Sequence, residues 1–178
     1  MTGLSEGGET GQMTDLEQRP DARQITHIER EPGRLLWAIN LIPKWIFKLR
    51  LGRLYGKRFA MITHRGRKSG KPHTVIVETA DGSPESGRLT YIVAYGKRAQ
   101  WYKNLKAAPA VSLEIAGVVY KEPRHEFLSR EGTEQAIASY WDRYPRLARF
   151  LARNGVFFHP GPLADHPDAP TAIVFYLD

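Results

Sequence analysis

Residue patterning points to a mainly β domain with flanking helices, an antiparallel barrel of about six strands. Short apolar, β-branched runs alternate with tight Gly-containing turns. The elements run helix, three strands, helix, two strands, helices, strand, an order of hairpins and not of βαβ units. No GxGxxG follows a strand, so a doubly wound nucleotide-binding sheet has no support.

Residues 34–51 read as one helix, or two broken at Pro43, with Leu35, Leu36, Ile39, Ile42, Ile46 and Leu49 at three- and four-residue spacing. Residues 59–63 form a first strand and residues 74–79 a second, rich in β-branched side chains. Residues 81–87 are a loop, and residues 89–95 a third strand ended by Gly96. A helix over 99–107 stops before Pro109. Residues 111–115 and 118–121 straddle Ala116-Gly117 as a hairpin, and the second strand is expected to continue to Phe127. Ser129 caps a helix through Arg143, and Tyr144-Pro145 opens another that ends at Asn154-Gly155. The proline-rich residues 159–170 are a loop before a closing strand at 172–177.

With 178 residues, 42% of them hydrophobic, the chain can bury one core. Residues 1–25 carry five acids against two bases without apolar periodicity, and are expected to be a disordered tail. An amphipathic helical segment at 26–56 and a barrel domain at 57–178 follow. The start lacks the basic and apolar blocks of a secretory signal, so a cytoplasmic location is expected. The basic, Trp-bearing stretch 34–51 adds a candidate contact with the inner membrane face. The absence of Cys excludes disulfides, zinc–thiolate sites, iron–sulfur clusters and thiol nucleophiles.

Charge is unevenly spread. Residues 34–77 hold eleven Lys and Arg and no Asp or Glu, in a chain of net charge +7. The densest part is the turn His64-Arg65-Gly66-Arg67-Lys68-Ser69-Gly70-Lys71-Pro72. Gly66 and Gly70 let its backbone curl and aim N–H groups at an anion. Arg65, Arg67, Lys68, Lys71 and the Ser69 hydroxyl can add charge-assisted bonds worth about 1.5–3 kcal/mol each. A Walker A loop needs four residues between the glycines and Ser or Thr after the Lys, whereas here there are three, then Pro72. A second candidate, Gln100-Trp101-Tyr102-Lys103-Asn104-Leu105, opens a helix just after Tyr95-Gly96-Lys97-Arg98. Its aromatic rings could wall a flat ligand, and Asn104 could fix a polar edge. The six His residues form neither an HExxH nor a close pair, so no metal is expected, and no GxSxG elbow occurs.

These two motifs, Ile62-Thr63-His64-Arg65-Gly66-Arg67-Lys68-Ser69-Gly70-Lys71-Pro72 and Tyr95-Gly96-x-x-Ala99-x-Trp101-Tyr102-x-Asn104-Leu105-x-Ala107-x-Pro109, resemble the deazaflavin-dependent nitroreductase family over residues 53–130. The resemblance implies a split β-barrel of the FMN-binding-like kind and the coenzyme F-420, whose phosphate and glutamate tail are anionic. Carried over, Arg67 and Lys68 would hold the phosphate, with His73 near the tail. Tyr95, Gly96 and Lys97 would pass along the ring or phosphate, and Gln100 and Trp101 would line the deazaflavin. Glu78 stands where nitroimidazole-reducing members carry an aromatic residue.

The implied activity is hydride transfer to an electron-poor small molecule, a quinone, enone or nitro compound, with Tyr102, Tyr140 and Tyr144 as candidate proton donors. The alternative is a barrel that stores FMN, haem or a fatty acid without turnover. Nucleic acid is a weaker partner, because the cations gather in one turn and do not track a strand-binding face. Analogy with split barrels points to a homodimer.

Overall fold

The structure is a computed structural model that describes residues 56–177, apart from 154–156, 165, 167 and 168. The expected tail at 1–25, nearly all of the helical segment at 26–56 and the stretch 34–51 lie outside the described residues.

Seven strands and three helices are described: β1 Phe59–Arg65, β2 Pro72–Ser83, β3 Arg88–Val93, α1 Gln100–Ala107, β4 Ser112–Ile115, β5 Val118–Lys121, β6 His125–Phe127, α2 Arg130–Arg143, α3 Pro145–Arg153 and β7 Thr171–Tyr176. The strands form one sheet in the order β5-β4-β1-β2-β3-β7-β6, antiparallel at every step. Laid flat, such a sheet would hold its edges about 29 Å apart, six strand spacings of about 4.8 Å. Yet β5 ends at Lys121 and β6 begins at His125, and four Cα steps reach at most about 14 Å. The sheet must therefore curl until its two edges nearly meet. This is the expected split barrel, with one strand more than the count read from sequence.

The extra strand comes from a break. Residues 118–127 do not run as one strand: Glu122 has φ 47°, which turns the chain away from the β4 edge. His125–Phe127 then pairs with β7 at the other edge. β2 is longer than expected. A bulge between Thr79 and Asp81 shifts the register, so that Asp81, Gly82 and Ser83 pair with Thr90, Leu89 and Arg88 and leave the loop. β3 stops at Val93, ahead of a 3-10 turn at Gly96–Arg98. Two local expectations are met. Ala116 (φ 52°) and Gly117 (φ 81°) link β4 to β5, and the Ser129 hydroxyl accepts from the Gly132 N–H at 3.2 Å to cap α2.

Alternation along the strands builds two cores. Ala60, Ile62, Leu89, Tyr91, Val93, Leu113, Ile115, Ile173 and Phe175 form the main one with Tyr102 and Leu105 of α1. Ala80, Ile137, Tyr140, Ala148, Phe157 and Phe158 form the second, where α2 packs on β2 and β3 and α3 packs on α2. A polar bond ties α2 to the sheet. Glu78 on β2 accepts from Arg58 Nε at 2.6 Å through one oxygen and from the Tyr140 hydroxyl at 2.9 Å through the other. Burial first, then the adjacent Glu78 carboxylate, push the Tyr140 phenol far up, so it donates to Glu78 at any physiological pH. The Arg58 guanidinium lies 4.7 Å from the Tyr144 ring centroid.

Removing the phenol oxygen with Tyr140→Phe leaves Glu78 one donor short, and should lower the unfolding free energy by about 1.5–3 kcal/mol in urea titration. Ala116→Asn should act in the other direction. Asn tolerates the left-handed backbone that Ala116 occupies, so the same titration should show a gain of about 1 kcal/mol.

Candidate functional site

The basic turn sits between β1 and β2, and backbone bonds set its shape. The Gly66 N–H donates to the Lys71 carbonyl at 2.8 Å, and the Gly70 N–H to the Gly66 carbonyl at 2.7 Å. Gly70 takes φ +65° to reverse the chain, a conformation any other L residue adopts at a cost. The register then brings His64 opposite His73 and Arg65 opposite Pro72.

α1 lies against this turn, and one amide joins them. Asn104, 6% exposed, accepts at Oδ1 from the Arg67 backbone N–H (3.1 Å) and from Arg67 Nη1 (3.1 Å). The same Nη1 donates to Gln100 Oε1 at 3.0 Å. Asn104 Nδ2 lies 3.1 Å from His64 Nδ1. The His64 and His73 rings stack at 6.0 Å with 24° between planes. Burial, then the charge of His73, hold the His64 pKa below its usual 6.5.

Between turn and helix lies a cavity of about 520 Å³, within the range of small-molecule and cofactor sites. Of the residues expected at a cofactor site, Gly66, Arg67, Lys68, Ser69, His73, Gln100, Trp101 and Asn104 line it. Arg65, Gly70 and Lys71 belong to the turn without lining the cavity; neither do Tyr95 and Gly96. Lys97 lines a smaller cavity of about 160 Å³ beside Ser129 and Arg130. Among the described lining residues there is no Asp or Glu. Among the described residues, Arg67 meets only neutral amide acceptors there, and none of them compensates its charge.

The three tyrosines considered as proton donors lie elsewhere. Tyr102 is buried in the main core, its ring 5.0 Å from that of Phe127, and its phenol is pushed up by burial. Tyr140 and Tyr144 pack together in the second core. The sequence reading missed His64, Thr74 and Val75 as lining residues. For His64 the signal was present: it continues the inward set of Ala60 and Ile62 at period two. Among the described residues, no group of three or more His, Cys, Asp or Glu could hold a metal ion, and no helix is long and apolar enough to cross a membrane.

Comparison with known proteins adds the chemistry. The sequence model of the F420H(2)-dependent quinone reductase family matches residues 48–148. Among solved structures, an F420-H2 dependent reductase (FDR-A) is similar at 22% identity, over 66% of this chain and 93% of its own, with a TM-score of 0.46. A chain described as a domain-swapped dimer is similar at 18% identity, over 78% of this chain and 98% of its own, with a TM-score of 0.49. A pyridoxamine 5'-phosphate oxidase-related, FMN binding protein from Nostoc punctiforme is similar at 12% identity, over 84% of this chain and 82% of its own, with a TM-score of 0.42.

The histidines give the fold a pH dependence. His125, whose Nε2 lies 3.3 Å from the Leu105 carbonyl, is also held below 6.5, chiefly by burial. Near that pH the unfolded chain binds more protons at His64 and His125 than the folded one, so stability rises with pH. Their contribution is present above 6.5 and lost as pH falls through the folded values. The melting midpoint should drop between about pH 7.5 and about pH 5.5, and drop less in a His64→Asn/His125→Gln double variant.

Proposed function

The chain belongs to the F420H(2)-dependent quinone reductase family and is a deazaflavin-dependent reductase, and from that premise we propose that its acceptor is a quinone or a similarly electron-poor organic molecule. The observation that carries the binding reading is the cavity lined by Arg67 and Lys68 on one side and by Gln100 and Trp101 on the other, with no acid among its described lining residues. The donor set fits the coenzyme: two cations for its anionic portion, and an indole and an amide for a flat, polar-edged ring.

When bound, the reduced deazaflavin supplies a hydride. The work left to the chain is binding, orientation and charge. Arg67 and Lys68 hold the anionic portion of the coenzyme, at about 1.5–3 kcal/mol for each well-formed charge-assisted bond. Asn104 and Gln100 keep the Arg67 guanidinium in place. Trp101, half-buried beside them, walls the ring side. Quinone plus hydride plus one proton gives the hydroquinone. Because Arg67, Lys68, Ser69 and His73 line the cavity while exposed to solvent, water can deliver that proton.

Titration of coenzyme F-420 fluorescence tests the site. Wild type should quench it, and Arg67→Ala should weaken binding by at least about ten-fold, with Arg67→Ala/Lys68→Ala weaker still. Equal quenching by the double variant would remove the binding reading. Oxidation of the reduced coenzyme should be faster with a quinone than with an enone or a nitro compound. The reverse order would remove the acceptor assignment while leaving the family and the binding site intact.

A further inference from the structure

We propose that His64 is a positioning residue for the anion-binding turn: an unprotonated Nδ1 on His64 sets the amide of Asn104, and that amide aims Arg67 into the cavity. The proposal rests on the reading that the cavity takes the anionic portion of the coenzyme.

The argument is one of donors and acceptors. A primary amide has one accepting oxygen and one donating NH₂ group. At Asn104 the oxygen is committed to two donors of Arg67, the backbone N–H and Nη1, both at 3.1 Å. The NH₂ group therefore faces His64 Nδ1, 3.1 Å away. A hydrogen bond there requires Nδ1 to accept, which puts the ring proton on Nε2. A second proton on the ring would set N–H against NH₂. The conflict is relieved by turning the amide over. That presents NH₂ to both Arg67 donors and costs the turn both bonds to Asn104, leaving only the Nη1 bond to Gln100.

The surroundings favour the neutral ring. His64 is 4% exposed. The titratable and charged groups facing it are His73 from β2, stacked at 6.0 Å, and Arg67 and Lys68 from the turn. From α1 it meets the neutral Asn104. Burial first, then the charge of His73, oppose protonation and outweigh a backbone hydrogen bond at Arg65 that favours it, and no carboxylate among the described lining residues adds to that side.

Charge and hydrogen-bond geometry predict opposite signs for acid. If His64 acted only as a nearby charge, protonating it would tighten anion binding. If it acts through Asn104, protonation loosens it.

Three measurements decide the matter. Imidazole nitrogen NMR shifts of the wild-type protein without coenzyme should show His64 as the Nε2–H tautomer. An Nδ1–H tautomer overturns the proposal without any variant. In coenzyme F-420 fluorescence titration at about pH 7.5, His64→Asn, whose side-chain oxygen replaces Nδ1 as acceptor, should stay within about three-fold of wild type, and His64→Leu should weaken binding by about ten-fold. From about pH 7.5 to about pH 5.5 the ratio of wild-type to His64→Asn dissociation constants should rise by at least about three-fold. A ratio that is flat or falls overturns the proposal. If Arg67→Ala binds as tightly as wild type, the reading of the cavity fails and this inference goes with it. If Arg67→Ala weakens binding and His64→Leu does not, this inference alone fails.

Discussion

A single buried amide on α1 holds the basic turn to the body of the protein. Without Asn104, the turn backbone would lose its bond to the helix, and the guanidinium of Arg67 would keep only its exposed bond to Gln100. With it, the turn backbone and the guanidinium are both bonded to a helix that is itself fixed in the main core by Tyr102 and Leu105. A charge cluster becomes a site when something fixes where the charges point. In this fold that requirement falls on a neutral residue whose two ends face an arginine and a histidine.

The fold places these parts by curling its sheet. β1 and β2 deliver the turn at their shared end, and α1 enters after β3 and packs against β1. β2 serves both halves of the molecule. Its first residues, His73, Thr74 and Val75, line the cavity, and its later ones, Glu78 and Ala80, receive α2. The twelve residues of this one strand, exposed at the start and buried at Val77, Thr79 and Ala80, thus join the binding side to the helical side.

Much of this could be read from the residues alone, because the signals were local. Short apolar, β-branched runs between turns marked the strands, Ser129 marked a helix start, and Gly66 and Gly70 marked a turn rich in cations. The unread parts depend on distant partners. Nothing in Glu122 announces a left-handed backbone, so β6 looked like a continuation of β5 until its pairing with β7 was seen. The composition of Asp81-Gly82-Ser83 says loop, and only the bulge and the facing Arg88, Leu89 and Thr90 make it strand. For the site, the cations were apparent as charges. The neutral acceptors that orient them were not, since a hydrogen bond across 37 residues leaves no mark in spacing. Glu78 illustrates the same point from the other side: the sequence showed it only as an acid in place of an aromatic residue, whereas its oxygens are taken by Arg58 and Tyr140.

The pairing of β7 carries a consequence for biosynthesis. Residues 171–176 lie between β3 and β6 and cover the full length of β3. While a nascent chain is still emerging from the ribosome, that slot stays empty long after β1 to β6 have been made. β3 then presents an open hydrogen-bonding edge beside Leu89, Tyr91 and Val93, the kind of surface that recruits chaperones or pairs with another copy. This domain is therefore most exposed to misassembly in the interval between synthesis of β6 and synthesis of β7.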